Sequence, residues 1–108
     1  MSWQEDVLHI HRAVVKNYPV GSDEDRRFLT LALAGEVGEL CNLIKKQWRG
    51  DMSTHSRPFL DGLNEELADV RIYLELLAQM YGVDLDLACE AKLPVLHKRW
   101  PEARSDTP

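Results

Sequence analysis

Two pairs of carboxylates lie three residues apart, each within a segment whose other residues are largely apolar. Glu36 and Glu39 form the first pair, and Glu66 and Asp69 form the second. Residues at positions i and i+3 of a helix are neighbours on one face, so two such pairs on facing helices would bring four carboxylates together. Converging carboxylates repel one another unless a cation lies among them, and Mg²⁺ prefers oxygen ligands. The spacing therefore predicts a Mg²⁺ site with these four residues as ligands, in which Mn²⁺ could substitute.

Glu36 occupies a position that the hydrophobic pattern assigns to the apolar side of its helix. The apolar stripe of that helix comprises Leu29, Leu33, Leu40 and Leu43. A charged side chain within such a stripe is costly unless it is paired or bound to a metal. Glu66 lies at the edge of the next apolar stripe and Asp69 just beyond it, where by themselves they would also be compatible with a solvated surface.

Length and composition indicate a single globular domain over residues 1–108, with a core over about 3–100 and a polar tail over 101–108. The hydrophobic content is 44%, and the formal net charge of −5 argues against general nucleic-acid binding, which relies on a basic surface. No apolar run is long enough for a membrane span, and no signal peptide is visible. A reducing cytoplasm is the expected location, with Cys41 and Cys89 as buried free thiols.

Periodicity and capping residues predict an all-α fold, a four-helix up-down bundle with short connections. The helices are expected over about 3–18, 23–49, 60–81 and from 85 onward. Ser22 and Asp84 fit N-caps, whereas Gly50 and Gly82 fit the ends of the second and third helices. Pro94 lies inside the fourth helix and predicts a kink or a break there, and the tail from 101 is expected to be frayed.

The histidines do not form the pattern of a di-iron bundle. They lie at positions 9, 11, 55 and 97, and none completes a Glu-x-x-His motif. A ferritin-like di-iron site needs such a motif on two helices. The histidines are therefore expected at surface or capping positions.

The chain resembles the MazG-like all-α nucleoside triphosphate pyrophosphatases over about residues 28–101. The family's ExxE and ExxD motifs correspond here to Glu36–Glu39 (EVGE) and Glu66–Asp69 (ELAD). Further similar segments are Leu33–Leu40, Glu65–Leu74, Gly82–Leu85, and Lys92 with Arg99–Pro101. Leu96 and Phe28 depart from the family pattern, since many members or related deoxynucleotide enzymes carry asparagine at these positions.

The resemblance implies hydrolysis of a nucleoside triphosphate between its α- and β-phosphates, with Mg²⁺ held by the four carboxylates. One of these carboxylates would also accept a proton from the attacking water, and Glu39 is favoured over Glu36 for this catalytic role. The expected phosphate contacts are Lys92 and Arg99, and less directly Lys45 and Lys46. The candidate surfaces for the base are Trp3, His11, Phe28 and Trp48, each of which could equally be a packing residue. A homodimer or homotetramer is also implied.

Two other functions remain open at this point. A helical bundle could hold nucleotide or Mg²⁺ without turnover, as a partner module, or it could be a structural adaptor without any metal. A metal site would raise the melting temperature when Mg²⁺ is added, because a ligand that binds only the folded state stabilises it. An adaptor would show no such increase.

Overall fold

A computed structural model describes residues 2–103, which form four α-helices and one short 3₁₀-helix. The helices are α1 (Trp3–Val14), α2 (Asp23–Trp48), α3 (Arg57–Met80) and α4 (Leu85–Arg99), followed by the 3₁₀-helix Pro101–Ala103. Residues 2–103 contain no strand, and the all-α, four-helix prediction is confirmed. None of these helices combines the length and the apolar composition that a bilayer crossing requires. Residues 104–108 of the expected frayed tail lie outside the described residues.

Each α-helix begins after a polar residue whose side chain accepts a hydrogen bond from a backbone N–H in the first turn. These N-caps are Ser2, Ser22, Ser56 and Asp84. Ser56 accepts from the N–H of Phe59, and Pro58 lies in the first turn, where its missing N–H has no helical partner to lose. This cap makes α3 begin at Arg57, three residues before the predicted Leu60.

The first helix is shorter than predicted, because it ends at Val14 and not near Tyr18. Val15 already has extended backbone angles, φ −78° and ψ 120°. The β-branched pair Val14 and Val15 has a weak helix preference, which favours the end of the helix here over the predicted continuation to Tyr18. The segment 15–22 is thereby free to turn and bring α1 beside the start of α2.

The fourth helix is continuous from Leu85 to Arg99 with Pro94 inside it, so the alternative of a break is wrong. Proline removes one helical hydrogen bond and leaves the carbonyl of Glu90 without its donor. Both Glu90 and Pro94 are exposed, and water can therefore hydrate that carbonyl.

The first three helices pack together, and α4 extends from them. α2 and α3 pack against each other as a pair, and α1 packs on α3, whereas α4 has no comparable contact with these helices within residues 2–103. The buried apolar residues of this part of the chain are Leu29, Phe59 and Leu76, and α4 contains no buried residue. One chain thus provides a small core and leaves much apolar surface uncovered.

The two cysteines are free, as predicted, but their expected burial is wrong. Cys41 on α2 and Cys89 on α4 are both exposed. Leu40 and Leu43, the apolar residues near Cys41, are half-buried, whereas Leu87 near Cys89 is 60% exposed. The hydrophobic pattern indicates which faces avoid water, but not whether the same chain covers them.

Candidate metal centre

Three of the four predicted carboxylates meet between α2 and α3. Carboxylate oxygens of Glu36, Glu39 and Glu66 lie within 4.8 Å of one another. The i, i+3 spacing places Glu36 and Glu39 on one face of α2, and the packing of α3 against that face brings in Glu66. Within residues 2–103 this is the one group of three or more histidine, cysteine or acidic side chains that converge closely enough to hold a metal ion.

Asp69, the fourth predicted ligand, lies one turn beyond Glu66 on α3 and is half-buried. Its carboxylate is not part of the group within 4.8 Å. Its charge nevertheless acts on both Glu36 and Glu66. Asp69 therefore borders the centre, and its role as a ligand stays a prediction.

Two oxygen atoms at the centre are buried without a hydrogen-bond donor. They are Oε2 of Glu36 and Oε2 of Glu66. An unpartnered buried oxygen of a charged group loses its hydration without compensation, which destabilises the folded state. Two such atoms, on neighbouring helices and on residues whose carboxylates converge, suit a hard divalent cation, whose ligands are oxygen atoms.

Electrostatics at the centre also favours a cation. Burial raises the pKa of Glu36, and the charges of Glu39 and Asp69 raise it further. Burial likewise raises the pKa of Glu66, with further increases from Glu39 and Asp69. Both increases report that the ionised form is disfavoured, and a bound divalent cation would reverse this balance. Glu39 is the exposed member of the group, and so the one that solvent reaches most readily.

The predicted phosphate contacts do not lie at this centre within one chain. Lys92 and Arg99 are exposed on α4, and that helix does not pack on the carboxylate-bearing pair. Lys45 and Lys46 are exposed in the last turn of α2. No ion pair of these four side chains is present among residues 2–103, which leaves them available to an anion.

Trp48 is also remote from the carboxylates. It is the last residue of α2 and 83% exposed. Nine residues of helix separate it from Glu39, which corresponds to about 14 Å. A single chain therefore does not place Trp48 over a nucleotide bound at the centre.

A buried contact between a histidine and an aspartate, which no sequence pattern revealed, lies where α1 meets α2. His11 is 6% exposed and Asp25 is fully buried. Nε2 of His11 and Oδ1 of Asp25 are 2.8 Å apart, and Oδ2 of Asp25 accepts a hydrogen bond from the N–H of Gly21. The expected surface or capping role of His11 is therefore wrong. No local pattern joins the two residues, because the turn between α1 and α2 brings them together.

This pair borders a cavity of about 310 Å³ with aromatic walls. His11, Tyr18, Phe28 and Tyr73 contribute to its lining. The rings of Tyr18 and Phe28 are 6.2 Å apart and tilted by 47°. Tyr73 lies seven residues beyond Glu66 on α3, about 10 Å along the helix. A flat apolar ring could therefore lie here while charged groups of the same molecule reach the carboxylates.

Comparison with known proteins places these helices in a family. The MazG nucleotide pyrophosphohydrolase domain family matches residues 25–103, which contain all four predicted metal ligands. dCTP pyrophosphatase 1 of Homo sapiens is 37% identical over 101 residues, which cover 90% of this chain and 58% of the relative. The same protein of Rattus norvegicus is 36% identical with the same coverage. The Gene 37 protein of Mycobacterium phage L5 is 31% identical over 98 residues, 87% of this chain and 86% of the relative. The chain thus spans less than two thirds of the mammalian relatives' length.

Proposed function

The chain belongs to the MazG nucleotide pyrophosphohydrolase family, and from this we propose that it hydrolyses a nucleoside triphosphate between the α- and β-phosphates. The products would be a nucleoside monophosphate and pyrophosphate. The observation that carries the proposal is the convergence of Glu36, Glu39 and Glu66, of which Glu36 and Glu66 each have a buried oxygen without a hydrogen-bond partner.

These carboxylates suit Mg²⁺, or Mn²⁺ in its place, as the cofactor. Glu36, Glu39 and Glu66 would hold the ion, with Asp69 beside them. A triphosphate carries about four negative charges, so an acidic centre binds it only through a cation; a bound divalent ion neutralises phosphate oxygens and lowers the pKa of a coordinated water. Glu39 is exposed to the incoming substrate and is the proposed acceptor of the proton that the attacking water releases.

The aromatic cavity is the proposed site of the base. Phe28 and Tyr18 offer one ring surface and Tyr73 another. Because Nε2 of His11 is engaged by Asp25, the remaining ring nitrogen, Nδ1, is the atom that could hydrogen-bond a base. The mammalian relatives are named dCTP pyrophosphatase, and dCTP is therefore the first substrate to test.

We propose that the working form is a homodimer or homotetramer. Large apolar side chains are exposed on α2, on α4 and at the residue that follows α4, among them Leu31, Trp48, Leu87 and Trp100. Since α4 does not cover the carboxylates of its own chain, α4 of one protomer would bring Lys92 and Arg99 to the phosphates bound by another. The exposed apolar faces supply the contact surface.

The proposed location is the cytoplasm. Cys41 and Cys89 are free and exposed, and exposed thiols remain reduced in a reducing compartment. Fractionation of cells that express the chain tests this, and recovery with a secreted fraction would contradict it.

Product analysis tests the proposed reaction. The protein is incubated with Mg²⁺ and a panel of nucleoside triphosphates that begins with dCTP, and pyrophosphate and orthophosphate are measured separately. We expect pyrophosphate with an equal amount of monophosphate. Glu39→Gln should lower kcat by about 10²-fold or more, whereas Glu65→Gln, an exposed neighbour outside the centre, should leave it nearly unchanged.

Other results would lead to other functions. Orthophosphate alone would mean that a different phosphate bond is cut. No product from any nucleotide, together with stabilisation by Mg²⁺ that Glu36→Gln abolishes, would indicate a binding module without turnover. If Mg²⁺ does not stabilise the protein and no nucleotide yields a product, the result would indicate a structural adaptor without a metal.

A further inference from the structure

Another cavity, of about 490 Å³, lies where the start of α1, the last turns of α3 and the turn into α4 meet. Its lining includes four acidic residues, Glu5, Glu75, Asp84 and Asp86. It shares no lining residue with the carboxylate centre or with the aromatic cavity. The proposed hydrolysis makes no use of these four side chains.

Glu75 is the unusual member of this set. Its side chain is only 8% exposed, in the last two turns of α3, and an acidic residue is rarely so buried without a partner. Within residues 2–103 it forms neither a hydrogen bond nor an ion pair, and what remains exposed of it lines the cavity. Burial raises the pKa of Glu75, Asp86 and Asp84 raise it further, and Arg71 acts in the opposite direction. Glu75 thus opens into an acidic cavity without an ion pair, and the charge of Arg71 offsets the negative surroundings only in part.

The volume of the cavity and the separation of its carboxylates indicate which kind of cation suits Glu75. No three of these carboxylates converge within metal-ligand distance, since Glu36, Glu39 and Glu66 form the one such group in the described chain. The volume suits a small organic molecule better than a bare ion. Val83 and Leu85 add apolar surface beside the acids. Alkyl stems of ammonium and guanidinium groups commonly lie on such surfaces while the charged end reaches a carboxylate.

One wall of the cavity is held in place by a side chain of α3. Nε2 of Gln79 donates a hydrogen bond of 3.0 Å to the backbone carbonyl of Gln4 at the start of α1. Gln79 lies one turn after Glu75 and also lines the cavity. The two walls of α1 and α3 are thus tied together beside the buried carboxylate, so the cavity is preformed on this side.

We propose that this cavity binds an organic cation, an ammonium or guanidinium group on an aliphatic stem, with Glu75 as the buried counter-charge and Asp86 at the mouth. The cation has two possible sources, a free amine or guanidine and a lysine or arginine side chain of a second copy of this chain. The proposal does not rest on the proposed function, because none of these residues belongs to the carboxylate centre.

Calorimetric titration tests it with butylammonium, butylguanidinium and 1,4-diaminobutane as probes. Saturating Mg²⁺ prevents the probes from binding at the carboxylate centre. Constant ionic strength keeps the screening of surface charges the same throughout the titration. We expect saturable binding of one cation per chain. Glu75→Gln keeps the shape of the side chain and should weaken binding about tenfold or more. Asp86→Asn, at an exposed position, should weaken it less and serves as a second variant if Glu75→Gln does not fold.

Two matched variants separate this cavity from other acidic surface. Asp61→Asn removes the same charge at the other end of α3, and Glu36→Gln removes it at the carboxylate centre; both should leave cation binding unchanged. Equal weakening in Asp61→Asn and Glu75→Gln would overturn the proposal, since it would show attraction by net charge alone.

Sedimentation of the same variants distinguishes the two sources. If the probes bind and Glu75→Gln leaves self-association unchanged, the source is a free cation. If the probes bind and Glu75→Gln weakens self-association, the source is a side chain of a second copy, which the probes replace. If no probe binds but Glu75→Gln weakens self-association about tenfold while Asp61→Asn does not, the cation is a side chain of a second copy. No saturable binding together with unchanged self-association would overturn the proposal.

Discussion

Nε2 of His11 lies 2.8 Å from Oδ1 of Asp25, and this buried pair joins α1 to the first turn of α2. The second oxygen of Asp25 accepts a hydrogen bond of 2.8 Å from the N–H of Gly21. Gly21 has φ of +85°, a conformation that residues with a Cβ rarely adopt. One carboxylate thus fixes the end of the loop and the orientation of an imidazole that lines the aromatic cavity.

Loss of this carboxylate should destabilise the fold. Asp25→Ala leaves the ring nitrogen of His11 and the N–H of Gly21 without an acceptor in the interior, and we expect a loss of about 2–4 kcal/mol in the free energy of unfolding. Urea denaturation measures it. Asp23→Asn is the control, because Asp23 is exposed and 3.7 Å from Arg26; its effect should stay below about 0.5 kcal/mol. Equal losses in both variants would contradict the structural role of the pair.

Without Mg²⁺, the free energy of unfolding should decrease as the pH rises above about 4.5, the ordinary pKa of a glutamate. The decrease should continue through the raised pKa values of Glu36 and Glu66. The folded state holds these protons more tightly than the unfolded state, so the unfolded state binds fewer protons in this window and stability decreases with pH. Added Mg²⁺ should offset the decrease increasingly as the carboxylates ionise. Melting temperatures over this range, with and without Mg²⁺, measure both effects.

The same measurement has a matched pair of variants. Glu36→Gln removes one ionisation, and we expect a flatter pH dependence and a smaller response to Mg²⁺. Glu65→Gln removes only the smallest of the contributions that raise the pKa of Glu66, and it should retain most of the pH dependence. A stability that rises with pH in the metal-free protein would show that the carboxylates are not destabilised by burial and mutual repulsion.

The effect of glycine-to-alanine substitutions on stability should distinguish uncovered helix faces from close-packed ones. A Cβ at Gly35 or Gly38 would meet nothing within 4 Å, whereas one at Gly62 would lie 3.2 Å from Cδ2 of Leu43. Gly35→Ala should therefore gain about 0.5–1 kcal/mol of stability from helix propensity, and Gly62→Ala should gain less or lose stability. Denaturation of dilute protein measures this. Destabilisation by Gly38→Ala would mean that another protomer packs on this face of α2.

Mixing of two inactive variants should restore activity if α4 serves a partner's site. Arg99→Ala loses the proposed phosphate contact, and Glu36→Gln loses the metal ligand, so neither homodimer is active. After subunit exchange, half of randomly mixed dimers are heterodimers with one intact site of two, and activity should recover to about a quarter of wild type. Complete exchange, verified by native mass spectrometry, without recovery would show that Arg99 acts within its own chain or not at all.

The local features of this protein follow from its sequence. Ser22 and Asp84 were predicted as N-caps and are N-caps, since a side-chain oxygen and an N–H three residues later interact whatever the rest of the chain does. The i, i+3 spacing likewise determines that Glu36 and Glu39 share a face of α2. The pattern also predicted that Glu66 would join them, and it does. The role of these side chains as metal ligands stays a prediction.

The tertiary structure decided those contacts and exposures that depend on how the helices pack against one another. The pairing of His11 with Asp25 and the contact of Gly62 with Leu43 join residues that are remote in the chain. No local sequence pattern predicts either contact. The exposure of Cys41 and the separation of α4 from the carboxylates have the same origin. Hydrophobic periodicity records that a helix face avoids water. Whether that face is covered by the same chain or by a second one depends on packing between elements, which only the three-dimensional arrangement contains.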